Sequence, residues 1–163
     1  MVKGQKIPKY AFETVPASDE NNSKFPLLKE LVQSEFPANA MGDIFRPHTN
    51  ATIFACERHR KRGDKVAVLA VGFLKGKSAF FPLIANRSRR DEPHVEFFLG
   101  QLEAILFGQS DSDIERLTIH PGNINSETFL YRGYSIDNYP GQEAYRLTQT
   151  DYLGRLALLD THS

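Results

Sequence analysis

Ile114-Glu115-Arg116-Leu117-Thr118-Ile119-His120 runs on into Pro121-Gly122-Asn123-Ile124-Asn125-Ser126 and then Glu127-Thr128-Phe129-Leu130-Tyr131-Arg132-Gly133-Tyr134. The first seven residues read as a strand whose apolar members are Ile114, Leu117 and Ile119. Asn125 or Ser126 suits the N-cap of a short helix, and Gly133 suits a left-handed exit from it. A strand that hands over to a helix is one unit of an α/β domain. What lies on either side decides the sheet it joins.

Just upstream, Val95, Phe98, Leu99, Leu102 and Leu106 mark one face of a helix. Pro93 sits near its first turn and Gly108 can close it. Before that helix come three apolar stretches, 52–57, 66–74 and 78–85, separated by Arg58-His59-Arg60-Lys61-Arg62-Gly63-Asp64 and by Lys75-Gly76-Lys77. They read as a meander of antiparallel strands. Pro82 falls inside the third and implies a bulge or an edge, because proline cannot donate to a ladder.

Further out, residues 10–15 alternate weakly and read as a strand. Ser18 and Asp19 are N-cap candidates for a helix through Phe25, Leu28, Leu31 and Val32 to about Glu35. Pro37 to Pro47 is irregular, with Gly42 inside it. Downstream, 134–136 and 144–147 read as paired strands. The tail from Tyr152 has apolar residues without a period and is expected to dock on the body or on a partner. The expected fold is therefore α/β (α+β): a mixed, mostly antiparallel sheet flanked by helices. One domain covers 1–163, with its core at 10–150 and a tail at 151–163.

Composition agrees with a single domain. The 163 residues are 40% hydrophobic and 25% charged. Twenty basic residues balance twenty acidic ones, so no global charge draws the chain to nucleic acid or anionic lipid. A near-neutral surface favours self-association, and a homo-oligomer is one expected state. The lone Cys56 permits no internal disulfide and reads as a small buried hydrophobe in a reducing, cytoplasmic setting. No apolar stretch reads as a signal or a membrane span. His48, His59, His94, His120 and His162 show no metal-ligand spacing, so no metal is expected.

The element order, the opening Thr14-Val15-Pro16-Ala17-Ser18-Asp19 and the block from Ile114 to Tyr134 resemble the GNAT (Gcn5-related) acetyltransferases along nearly the whole chain. More weakly, Thr128-Phe129-Leu130-Tyr131-Arg132-Gly133-Tyr134 is similar to the end of a late helix in the ornithine decarboxylase antizymes. Small phage proteins with GNAT-like folds offer a second, unspecific comparison. The resemblance implies acetyl-CoA held between splayed fourth and fifth strands, its pyrophosphate on backbone N–H groups at the start of the next helix. It would put Leu83 and Ile84 on the fourth strand, Arg89, Arg90 and His94 at the phosphate loop, and Asn123 beside the cofactor.

The chain departs from that pattern. With Arg89 at the family's Arg/Gln position, its two small positions fall on Glu92 and His94, and no glycine lies between Asn86 and Glu96. Asp91 and Glu92 add negative charge where a pyrophosphate would rest. The stretch 79–84 carries no carboxylate, and the family's late-helix tyrosine matches Phe129 or Leu130. His120 as base and Tyr131 as acid are the remaining catalytic candidates, against the plainer reading of a satisfied strand-end histidine and a packing tyrosine. The leading expectation is a GNAT-fold protein with an eroded acetyl-CoA loop, working as a non-catalytic binding or regulatory protein. The alternative is a divergent acetyl-CoA-dependent N-acetyltransferase acting on a primary amine. A third reading takes Arg58-His59-Arg60-Lys61-Arg62 and Arg87-Ser88-Arg89-Arg90 as a basic patch for nucleic acid or an acidic protein, against the plainer reading of a solvated hairpin tip.

Overall fold

A computed structural model describes residues 10–36, 50–59, 63, 65–88, 93–109, 112–139 and 142–161. Seven strands form one sheet in the order β1-β2-β3-β4-β5-β7-β6. The strands are β1 (Tyr10–Pro16), β2 (Thr52–Arg58), β3 (Lys65–Lys75), β4 (Ser78–Asn86), β5 (Arg116–Ile119), β6 (Ser135–Tyr139) and β7 (Gln142–Thr148). The helices are α1 (Phe25–Glu35), α2 (His94–Phe107), α3 (Ser126–Tyr131) and α4 (Gln149–Thr161). All pairings are antiparallel except β4 with β5. Their connection through α2 is the crossover that a parallel pair requires.

β3 lies in the middle of the meander, and Val66 through Gly72 are all buried. That explains its unbroken apolar run. Leu69 and Val71 face α1, while Val68 and Ala70 face the opposite layer. The β2–β3 register slips between Cys56 and Glu57, so Ala67 is an extra residue and Val66 turns onto the α1 face. One core packs α1 through Phe25, Leu28 and Val32. The other packs α2 through Phe98, Leu99 and Leu102, together with Phe129 and Tyr152.

Pro82 sits at a bulge: Val71 pairs with Leu83 but Phe73 pairs with Phe80, so β4 carries one residue more than β3 there. Gly72 lies opposite, where a Cβ would come within 2.5 Å of the Phe81 ring. Asn125 caps α3 by accepting from the Glu127 N–H, and Gly133 leaves it at φ +90°. Gly108 does close α2, but with right-handed geometry and a bond to the Ala104 carbonyl.

Two expectations are corrected. Ser18 and Asp19 do not cap α1, which starts at Phe25 with Lys24 at its N-cap and no side-chain cap bond. Turns intervene, with Asp19 N–H on the Pro16 carbonyl and Asn22 N–H on the Asp19 carbonyl. The Lys24 N–H donates to Asn22 Oδ1 at 2.9 Å, its Nζ pairs with Glu57 and Glu13 at 2.9 and 3.0 Å, and Pro26 stands in the first turn, where proline is tolerated. The aperiodic tail is also a helix, α4, docked on the body. The irregular stretch 37–47 lies outside the described residues.

Candidate functional site

β4 and β5 pair over four residues, from Ser78 with Arg116 to Phe81 with Ile119. The His120 N–H then donates to the Phe81 carbonyl at 3.0 Å, and regular pairing stops. Beyond this fork β4 continues through Leu83 and Ile84 to Asn86. The chain after β5 turns at Pro121-Gly122 and comes back against it. Gly122 stands at φ +55°, and a Cβ there would lie 2.2 Å from the Ile84 carbonyl oxygen. Only glycine combines that conformation with that approach.

Asn123 completes the closure. Its Oδ1 accepts from the Asn86 N–H and its Nδ2 donates to the Asn86 carbonyl, both at 2.8 Å. A carboxamide offers the same donor and acceptor as a peptide group, so Asn123 extends the sheet as a neighbouring strand would. Asn86 is fixed from its side chain as well. Its Oδ1 accepts from the Ser88 N–H at 3.1 Å, which identifies that atom as the oxygen, so the His94 Nε2 at 2.8 Å is the donor. His94 is fully buried at the start of α2.

Beside the closed fork a groove of about 440 Å³ runs between the start of α2 and α3. Asn86, Glu96, Asn123, Asn125, Glu127 and Tyr131 supply its polar walls. No Lys, Arg or His lines it among the described residues. Pro93 is the N-cap of α2, and Glu96 is the acid in its first turn.

Behind the groove lies a buried charge network. Glu103 of α2 is fully buried. Its carboxylate accepts two bonds from Arg132 and one from the Tyr134 hydroxyl, at 2.8, 2.8 and 2.9 Å. Arg155 of α4 adds a fourth at 2.5 Å and also donates to the Arg132 carbonyl. Arg132 reaches Glu96 at 2.8 Å, so two cations meet two anions. Burial, the adjacent Glu103 charge and the bond to it raise the Tyr134 pKa well above that of a free phenol. On the sheet, burial first and Glu57 second push the Cys56 thiol up to about 12, so it is held as an unreactive thiol.

The structure brings Ile84, His94 and Asn123 together at the fork. Leu83 points to the other face of the sheet, against the α1 core. Tyr131 stands on the groove wall with 85% of its surface exposed, and His120, half-buried at the end of β5, does not line the groove. Arg89 and Arg90 lie outside the described residues. Asn86 escaped sequence reasoning because it works largely through its main chain, which has no residue signature. Glu103 did leave a signal: a carboxylate set on the apolar stripe of Leu99, Leu102 and Leu106. Among the described residues no three His, Cys, Asp or Glu gather to hold a metal, and no helix is long and apolar enough to cross a membrane.

No protein-family model matches the chain, and no characterised protein matches it by sequence. Solved structures do match its fold. The ribosomal-protein-S18-alanine N-acetyltransferase of Escherichia coli aligns at TM-score 0.55 and 11% identity, over 84% of this chain and 90% of that one. Tetrahymena GCN5 aligns at TM-score 0.55 and 11% identity, over 87% and 98%. The PaiA N-acetyltransferase of Thermoplasma acidophilum, solved in complex with coenzyme A, aligns at TM-score 0.51 and 9% identity, over 85% and 98%. The fold is thus that of the GNAT N-acyltransferases, in a widely divergent sequence.

Proposed function

We propose that this chain is a GNAT-fold binding or regulatory protein that does not use acetyl-CoA. The observation that carries the reading is the Asn123 carboxamide on the Asn86 main chain, with Gly122 pressed on the Ile84 carbonyl. In the GNAT pattern the cofactor lies between these two strands. Here its hydrogen-bonding positions on the end of β4 are occupied by the protein's own atoms. A ligand entering there would have to break both Asn123 bonds, each worth about 1 kcal/mol net, before making its own. Charge points the same way: among the described residues the groove lining holds Glu96 and Glu127 and no Lys, Arg or His to meet a pyrophosphate. Chemistry is also short of groups, since β4 carries no carboxylate and neither Phe129 nor Leu130, the two residues that match the family tyrosine, has a proton to give.

The alternative, a divergent N-acetyltransferase using Arg89 and Arg90 for pyrophosphate, His120 as base and Tyr131 as acid, draws support from the fold and from Tyr131 standing on the groove. A thermal melt with millimolar acetyl-CoA, repeated with free CoA, separates the two. The binding-protein reading expects no shift. A ligand present at about a hundred times its dissociation constant adds roughly 2.7 kcal/mol and would raise the Tm by several degrees. Such a rise would establish cofactor binding and overturn the reading.

A further inference from the structure

Closing the fork leaves the groove beside it intact: about 440 Å³ between the start of α2 and α3, a size usual for a binding cleft. Glu127 and Tyr131 stand one turn apart on α3, and side chains at that spacing share a helix face. Both line the groove. Tyr131 is 85% exposed, and the Glu127 carboxylate enters no hydrogen bond or ion pair among the described residues. Across the groove Glu96 is held through its Oε2 by Arg132 at 2.8 Å, and Arg132 is in turn anchored on Glu103. Glu96, Glu103, Arg132 and Arg155 cancel in charge, which leaves Glu127 unbalanced beside them. Pro93, Val95 and Ile124 add an apolar stretch to the lining.

We propose that this groove receives a lysine or arginine side chain from a basic segment of a partner protein. Such a side chain is apolar along its stem and charged at its tip. The stem suits Pro93, Val95 and Ile124. The tip suits the Glu127 carboxylate and the face of the Tyr131 ring, whose quadrupole attracts a cation. Glu96 adds a second carboxylate that Arg132 already holds in place, and an acceptor fixed beforehand costs less to order when a guest binds. Tyrosine is among the residues that most often anchor protein interfaces, and Leu130 beside it is 45% exposed. A phosphate-bearing guest is less suited, because it would meet two carboxylates and, among the described residues of the lining, no Lys, Arg or His. Of the basic stretches that could have drawn nucleic acid, 60–62 and 89–90 lie outside the described residues, and Arg87 is paired with Glu35 at 3.1 Å.

This occupant rests on the reading of the chain as a binding protein and gives its partner a chemistry, but the two fail separately. The acetyl-CoA melt decides that reading, and peptide binding decides this one. The probe is fluorescein-labelled hexalysine, followed by anisotropy at low ionic strength, where exposed charges are least screened. The formal charge of the chain is zero, so binding reports the local field of the groove rather than a global attraction. Glu127→Gln and Tyr131→Ala should each weaken binding about two- to fivefold, the scale of an exposed ion pair or cation–π contact. Tyr131→Phe, which keeps the ring, should bind as the wild type does. Both positions are exposed, so the melting temperature should hold in all three variants. Glu30→Gln, at an exposed acid on α1, should leave binding unchanged. No binding of hexalysine, an unchanged affinity in either Glu127→Gln or Tyr131→Ala, or an equal loss in Glu30→Gln overturns the proposal. So does a dimer that sedimentation detects in the wild type and not in Tyr131→Ala, which would assign the groove to a second copy.

Discussion

A carboxamide repeats the hydrogen-bonding pattern of a peptide group, and one such side chain changes what this fold presents. Asn123 turns a fork between two strands into a closed seam, and the missing Cβ of Gly122 lets the seam tighten. The other residue with an outsized role is Glu103, a buried carboxylate met by four donors. Such a group is tolerated only when its lone pairs are used, and removing one partner costs far more than the pair contributes net. Tyr134 reports on it through pH. Its pKa is raised in the folded state by burial first and by Glu103 second. The neutral phenol therefore favours the folded state, and that contribution is intact below the unfolded value of about 10. As pH climbs past that value the unfolded chain releases the proton first, and stability falls. Denaturation midpoints measured from about pH 8 to 11 should drop at the alkaline end in the wild type and drop less in Tyr134→Phe. Asn123 was reached in the sequence through the family resemblance, which put it beside the cofactor. Its partner Asn86 was not, since nothing in a residue type says which main-chain groups a neighbour will leave free.

At the level of elements, α2, α3 and the strand meander were legible because their signals are local: an apolar stripe, an Asn cap, a left-handed glycine, turns between apolar runs. α4 was not. It buries Tyr152 against Phe107, with ring centroids 5.5 Å apart, and it places Arg155 on Glu103. Leu153 and Leu158 stay more than a third exposed, so the buried face has too few apolar members to show a helical period. The anchor is partly ionic, and periodicity does not register a charge. Arg155→Ala is expected to lower stability by about 2 kcal/mol, the scale of hydrogen bonds to a buried charge. It should also speed amide exchange across 149–161 while leaving α2 protected, because Arg132 still satisfies Glu103. Equal acceleration in both helices would show that α4 and the body open as one unit. The start of α1 was misplaced for a different reason. Ser18 and Asp19 have the chemistry of caps, but the residues that follow them are spent on turns, the last with the Lys24 N–H on Asn22 Oδ1.

For the molecule as a whole, Cys56 is the natural probe of global opening. It lies in β2 with no exposed surface, and burial ahead of the Glu57 charge pushes its pKa up to about 12. Near neutral pH a thiol reagent should modify it no faster than the protein unfolds, and promptly in denaturant. Rapid reaction of the native protein would mean that the β1–β2 edge opens on its own. By itself the sequence determined the class of fold, the order of its elements up to the last strand, an irregularity at Pro82 and the lack of glycines before α2. Each of those is written in residue type and short-range spacing, and short-range physics acts before the chain is folded. Only the tertiary structure decided that Asn123 closes on Asn86, 37 residues away, and that Glu103 is locked by Arg132 and Arg155. Those outcomes depend on strand register and on which layers meet. A shift of a single residue in β4 would turn its core side chains to the wrong face and carry Asn86 away from the carboxamide that holds it.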